Sequence, residues 1–265
     1  VRKLLQGTAQ LEFWETWEFS EAVPYFAQAN QTIAEMNAAN DVLNKVKENQ
    51  EETVETTTED QEETTTETDT AQAETSDESS LMEEIGSDST ANVDETLASQ
   101  EFYKNNPIYE FLQPSFQQDP STGNVYPAKG ATVGYASVKD TSRVNTMLKQ
   151  TKNIFPNNMR FMWTINPLEK GSDIHRLVAI KVTSRDGEPA LGGDVIVDAS
   201  QDYSPTGQVE VSMSMNAEGA LIWKRLTGEN IGSQIAIALD GYIYSFPWVN
   251  SEIAGGRSSI SGGGM

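Results

Sequence analysis

Cysteine is absent from the 265 residues, and histidine occurs once, at His175. The first absence excludes disulfides and thiolate chemistry without fixing a compartment. The second excludes a histidine-rich metal site, and no cysteine could complete one. No carboxylate stands at a triad-like spacing from His175, which reads as an ordinary strand-end histidine. There is no Walker-type phosphate loop and no Gly-x-Gly-x-x-Gly opening a helix. A basic footprint for nucleic acid is missing too. No apolar run approaches the ~18 residues of a membrane span, and nothing resembles a signal peptide. The chain begins at Val1 instead of Met, which reads as a piece of a longer protein. This negative inventory argues against an enzyme: no catalytic residue, cofactor or metal is expected.

What is abundant is acid, and it is concentrated. Between Glu48 and Glu95 there are 18 acidic residues and no basic one; without them the net charge of −22 falls to −4. The tract 48–98 is built of Glu, Thr, Asp and Ser with few large apolar residues. Such a segment cannot bury enough surface to offset its chain entropy, and its charges repel. It is expected to be a disordered insertion, either a solvated loop without a specific task or an acidic bait or metal sponge.

On either side of the tract the pattern is that of a folded protein. Residues 8–19 alternate as a strand, with Leu11 and Phe13 on one side. Ser20 is a candidate cap for a helix through Lys47, with Pro24 in its first turn. Its apolar positions are Val23, Phe26, Ile33, Met36, Val42, Leu43 and Val46, and its Asn and Gln content means that it needs something to pack against. The segment 113–130 reads as loop. Strands are expected at 131–138, 159–165 and 175–184, and a helix capped by Asp140 or Thr141 carries Val144, Met147, Leu148 and Ile154. Strand 208–216 alternates Val209, Val211, Met213 and Met215 with polar residues. Asn216 is a plausible cap for helix 217–228, which Gly228 would end. The glycine clusters 192–193, 255–256 and 262–264 read as turns, with hinges as the alternative.

The strongest local signal is 234-QIAIALDGYIYSFPWV-249, a hairpin about Asp240-Gly241. With a two-residue turn, Leu239 faces Tyr242, Ile237 faces Tyr244 and Ile235 faces Phe246. That face is large and apolar, which predicts a core position for Tyr242, Tyr244 and Phe246. The other face, with Ala236, Ala238, Ile243 and Ser245, is small and mixed. Trp248 follows Pro247, which interrupts pairing, and is expected to be partly exposed. The whole reads as an α+β fold: an antiparallel sheet with helices packed on one face, plus the long disordered acidic insertion.

The segment 219–263 closely resembles the SecD pattern within the SecD/SecDF protein-export family. The features that carry the resemblance are Gly219-Ala220, Leu226-Thr227, Asn230-Ile231-Gly232, the Ala-Ile-Ala-Leu-Asp-Gly hairpin, Pro247, and the closing Gly-Gly…Ile-Ser-Gly. The stretches 4-LLQGTAQLEFWE-15 and 189-PALGGDVIVDA-199 are similar to other family segments. The resemblance implies the first periplasmic domain, mainly its head subdomain, of a polytopic inner-membrane protein that uses the proton gradient to aid export. It implies a division into 1–19, a strand joining to the base; 20–47, a helix; 48–98, the insertion; and 99–265, the head. The family's proton-relay residues lie in membrane segments, so none is carried over, and the insertion departs from the family pattern. Leu4 and Leu5 would lack their base partners.

The resemblance also implies partners: SecF, the SecYEG translocon and the translocating preprotein. The expected action is sequence-tolerant capture of an unfolded chain on an apolar groove or strand edge, without bond chemistry. Candidate contact residues are Trp248, Phe246, Met213 and Met215, the methionines for their adaptability. The alternative is a structural module that docks on translocase subunits and touches no substrate.

Overall fold

Residues 177–180, Leu-Val-Ala-Ile, are completely buried. A strand buried on both faces sits at the centre of a layered structure, and this one organises the fold. The computed structural model describes residues 10–55, 99–203, 207 and 209–261. Leu4 and Leu5, expected to lack partners, and residues 56–98 of the acidic tract, expected to be disordered, lie outside the described residues.

Strand β1 (Leu11–Thr16) leads into helix α1 (Phe19–Glu55), which continues past Lys47 into the first turns of the acidic tract. Helical residues 99–105 return to α2 (Pro107–Phe111). Next come β2 (Gln113–Pro114), β3 (Phe116–Gln118), β4 (Val125–Pro127) and β5 (Thr132–Ser137). Helix α3 (Thr141–Gln150) precedes β6 (Met159–Trp163) and β7 (Ile174–Lys181). Then follow β8 (Leu191–Gly192), a 3-10 turn, β9 (Ile196–Tyr203) and β10 (Val209–Met215). Helix α4 (Ala217–Glu229), the hairpin β11 (Ile235–Leu239) and β12 (Tyr242–Ser245), and β13 (Arg257–Ser261) complete the described chain.

The main sheet runs β12-β11-β1-β7-β5-β2, with β6 also on β7 and β8 on β1. Every named strand pair is antiparallel. The sheet curls back on itself: Ile165 N–H, just after β6, donates to the Ile243 carbonyl of β12 at 2.9 Å, and Thr164 bridges Ile243 in parallel. Alternation along the strands then sorts the core. Trp14, Val178, Ile180, Ala236, Ala238 and Ile243 share the concave face. On the convex face, Leu177 and Ala179 meet α1, α2 and α3, while Phe13, Ile235 and Ile237 meet α4 and β10. Helices therefore cover one face of the sheet, as predicted.

Helix α1 buries Phe19, Ala22, Phe26, Ala29 and Ile33, a stripe at three- and four-residue steps. The stripe's continuation, Met36, Val42, Leu43 and Val46, is exposed. The helix is capped differently from expectation: the Glu21 carboxylate accepts the Glu18 N–H at 3.1 Å, and Ser20 lies inside the first turn. Pro24 is correspondingly deeper in the helix than predicted. Buried Asn30 fastens α1 to α2, its Oδ1 accepting the Ile108 N–H at 2.8 Å.

Two further expectations change. Residues 113–130 are not simple loop; they hold β2 and the β3–β4 hairpin, where the Phe116 ring meets Phe19 edge-on at 5.2 Å. Gly228 lies within α4, and Asn230 is the C-cap. The cap at the other end is as expected, with Asn216 Oδ1 accepting the Gly219 N–H at 2.8 Å.

Candidate polypeptide-contact surface

Asp240 and Gly241 have φ of +51° and +80°, the paired left-handed conformation of a type I′ turn. The turn is tied down by Asp240 Oδ1, which accepts the Gln10 N–H at 3.1 Å. Leu239 pairs with Tyr242 as expected, and Ala238 with Ile243. An irregularity between Ile237 and Ala238 then sets Ile237 opposite Ser245 instead of Tyr244.

The hairpin's burial reverses the prediction. Ile243 is fully buried, whereas Tyr242 and Tyr244 are 49% and 45% exposed. The small face is the core face because the sheet curls tightly, and its concave side has room for alanines at positions 236 and 238. The tyrosines are half-exposed on β12, the last strand in the order of the main sheet. Phe246 is partly buried at the rim of the concave cluster, with the Arg176 guanidinium 6.0 Å from its ring.

Trp248 is 40% exposed, in accord with the break that Pro247 makes, and the Lys129 ammonium lies 5.1 Å from its ring. It is held by an antiparallel bridge to Gln234, whose buried side chain accepts the Ala131 N–H at 2.8 Å. Gly130 closes this corner with φ of +110°, and a Cβ there would fall 2.7 Å from Gln234 Oε1 and 3.3 Å from the Trp248 ring. Its backbone also staples α1, donating to Glu18 Oε2 at 2.7 Å and accepting from Phe19 N–H at 2.8 Å.

The candidate residues thus separate. Trp248 is exposed, as are Tyr242 and Tyr244, while Phe246 packs partly against the concave cluster. Met213 and Met215, 5% and 9% exposed, pack in the core against Trp223 and Leu226 of α4, so they offer no surface in this conformation. Their alternation predicted a half-exposed strand correctly; the exposed half is the serine face.

A groove of about 610 Å³ adjoins Tyr242, bounded by α3, β6 and the Asp240-Gly241 turn's second residue. Phe155, Phe161 and Trp163 form apolar wall, and Trp163 Nε1 donates to Asn145 Oδ1 of α3 at 3.0 Å. Sequence reasoning missed this groove because its two sides come from a helix and a strand separated by turns. A second feature is β9, which among the described residues pairs with β10 alone and exposes Val197 and Tyr203. Its aspartates, Asp198 and Asp202, are the kind of charge that discourages unwanted edge pairing.

Titratable groups supply little chemistry. His175 Nδ1 lies 2.7 Å from the Thr164 carbonyl oxygen, a contact that holds β7 to the end of β6. Burial raises the Tyr109 phenol above its ordinary pKa. Asp119 is held below the usual carboxylate range by the Ser121 backbone N–H, then by the Thr122 hydroxyl. Among the described residues no group of His, Cys, Asp and Glu is arranged to hold a metal ion, and no helix is long and apolar enough to cross a membrane.

Residues 176–264 match the family described as SecDF, P1 head subdomain. The protein translocase subunit SecD of Rhodothermus marinus is 35% identical over 179 residues, covering 65% of this chain and 27% of the relative. The protein translocase subunit SecDF of Thermus thermophilus is 37% identical over 76 residues, 29% of this chain and 10% of the relative. This chain therefore spans about a quarter or less of the length of these relatives. A solved structure described as a membrane component SecDF that enhances protein export aligns with 56% of this chain and 70% of its own, at 22% identity and a TM-score of 0.26.

Proposed function

We propose that the chain is part of a SecD/SecDF protein translocase subunit, a reading supported by the match of residues 176–264 and by the similarity to the Rhodothermus marinus SecD, and that it captures an emerging preprotein on the periplasmic side of the inner membrane. The parent protein would use the proton gradient to help the exported chain finish crossing, with SecF and the SecYEG translocon as partners. The domain itself grips and moves polypeptide and makes or breaks no bonds.

One observation carries this reading: Tyr242, Tyr244 and Trp248 stand exposed on and just after β12, the last strand in the order of the main sheet. Aromatic side chains held by a rigid hairpin offer large contact area at low entropic cost. Their apolar faces accept varied side chains, and the cation beside Trp248 restrains that ring. Weak, sequence-tolerant contact suits a substrate that must be released as well as held.

The test uses the full-length protein in its membrane. A photo-crosslinker replaces Tyr244 or Trp248, and an exported chain is stalled in transit. Crosslinks to the stalled chain are expected. If both positions trap translocase subunits and never the stalled chain, capture fails and the domain is a docking module.

A further inference from the structure

We propose that the groove between α3 and β6 is the docking site for a segment of this same chain, residues 79–88, SSLMEEIGSD. The groove's rim carries Lys149, Lys152 and Arg160, and among the described residues no carboxylate lines it. Among the described residues none of these three cations has an ion-pair partner. Arg160 also donates to the Gly187 carbonyl at 3.4 Å, so the rim is basic and its two lysines are the freer charges. With the apolar floor they specify an occupant that is both apolar and anionic.

The acidic tract contains one stretch of that kind. Leu81, Met82 and Ile85 cluster within a few residues of one another, and Glu83, Glu84 and Asp88 supply the charge. Elsewhere in 56–98 the large apolar residues, Val93 and Leu97, stand singly. The apolar residues match the floor, and the carboxylates match the rim.

The chain can reach. The Phe26 ring of α1 lies 5.3 Å from Phe155 in the groove wall. From that level to Glu55 the helix advances by about 44 Å. The residues between Glu55 and Leu81 can span about 85 Å when extended. On the return leg, the residues between Ile85 and Ser99 can span about 45 Å, and Ile108, just beyond, is bonded to Asn30 on the same part of α1. A tethered occupant experiences an effective concentration of about millimolar, so modest complementarity is enough to fill the groove. Docking there would place an anionic segment directly beside Tyr242.

The experiment uses the whole chain with a benzophenone amino acid at position 81, or at Thr65 as a control, irradiated at low protein concentration. Docking predicts intramolecular crosslinks from position 81 to Met159 and Met162, and few from position 65. Reversing charge on the rim (Lys149→Glu with Lys152→Glu) or on the segment (Glu83→Lys with Glu84→Lys) is expected to lower the yield about fivefold, as for loss of two exposed pairs. Combining the two reversals is expected to restore it. The segment variant leaves the described fold untouched, so the test survives misfolding of the rim variant. Crosslinks spread evenly over the surface, crosslinks formed only between copies, or yields indifferent to both reversals would overturn the proposal. So would a groove labelled only by added exported polypeptide or anionic lipid.

Discussion

The two strands of the terminal hairpin share one turn and meet different environments. β11 is buried on both faces, with Ile235 and Ile237 under α4 and Ala236 and Ala238 in the concave core. β12 is buried on one face only: Ile243 is sealed while Tyr242 and Tyr244 face water. The difference comes from position in the sheet. β11 has β1 on its other side and α4 above it; on its other side β12 meets only the end of β6, through Thr164 and Ile165, and its Tyr242 opens onto the groove beside α3. Side-chain size did not decide which face became core. Curvature did, because the inward positions of a tightly curled sheet share one closed core, which Trp14, Ile180 and Ile243 fill beside the alanines, and the tyrosines are left on the outside.

The largest test of this contrast is Ile243→Ala. Ile243 fills the concave core between Trp14 and the alanines, so its truncation should cost about 2–5 kcal/mol, measured by denaturant unfolding. A cost near zero would mean that β12 is turned over and its tyrosines are the buried side. Gly241→Ala should cost less, about 1–2 kcal/mol, because the residue must hold φ of +80°. No atom lies within 4 Å of the added methyl, so the whole cost is backbone conformation. A neutral result would show that the turn relaxes and that the register beyond it is not fixed by the left-handed pair.

Much of this was legible in the residues, and the failures have physical causes. Asp240-Gly241 announces its turn because few dipeptides tolerate two left-handed residues in succession. Asn216 and the Trp223–Leu226 stripe mark α4 by cap and period. The apolar stripe of α1 is correct through Ile33; beyond that point a pattern cannot say whether a partner surface exists, and Met36, Val42, Leu43 and Val46 are left exposed. The tyrosines were misassigned because alternation names two faces without saying which is concave. Met213 and Met215 alternate as legibly as any residues in the chain, yet only the approach of α4 shows that their side is core. The rim of the groove was invisible, since Lys149, Lys152 and Arg160 meet only when β6 lies beside α3.

The smallest expected effect is the most discriminating for function. Tyr242→Ser and Tyr244→Ser, each at a half-exposed position, should shift stability by no more than about 0.5 kcal/mol. Their neighbour Ile243 supplies the anchorage of β12, and removing an outward ring leaves that packing intact. If the tyrosines serve contact with a passing polypeptide, the double variant should retain its unfolding midpoint while losing crosslinks from position 248 to a stalled export chain. A variant that loses stability as Ile243→Ala does would place the rings in the core after all. A variant that keeps both stability and crosslinking would remove the tyrosines from the contact surface and leave Trp248 to carry it, because Trp248 is held by Gln234 and Lys129 independently of the β12 face.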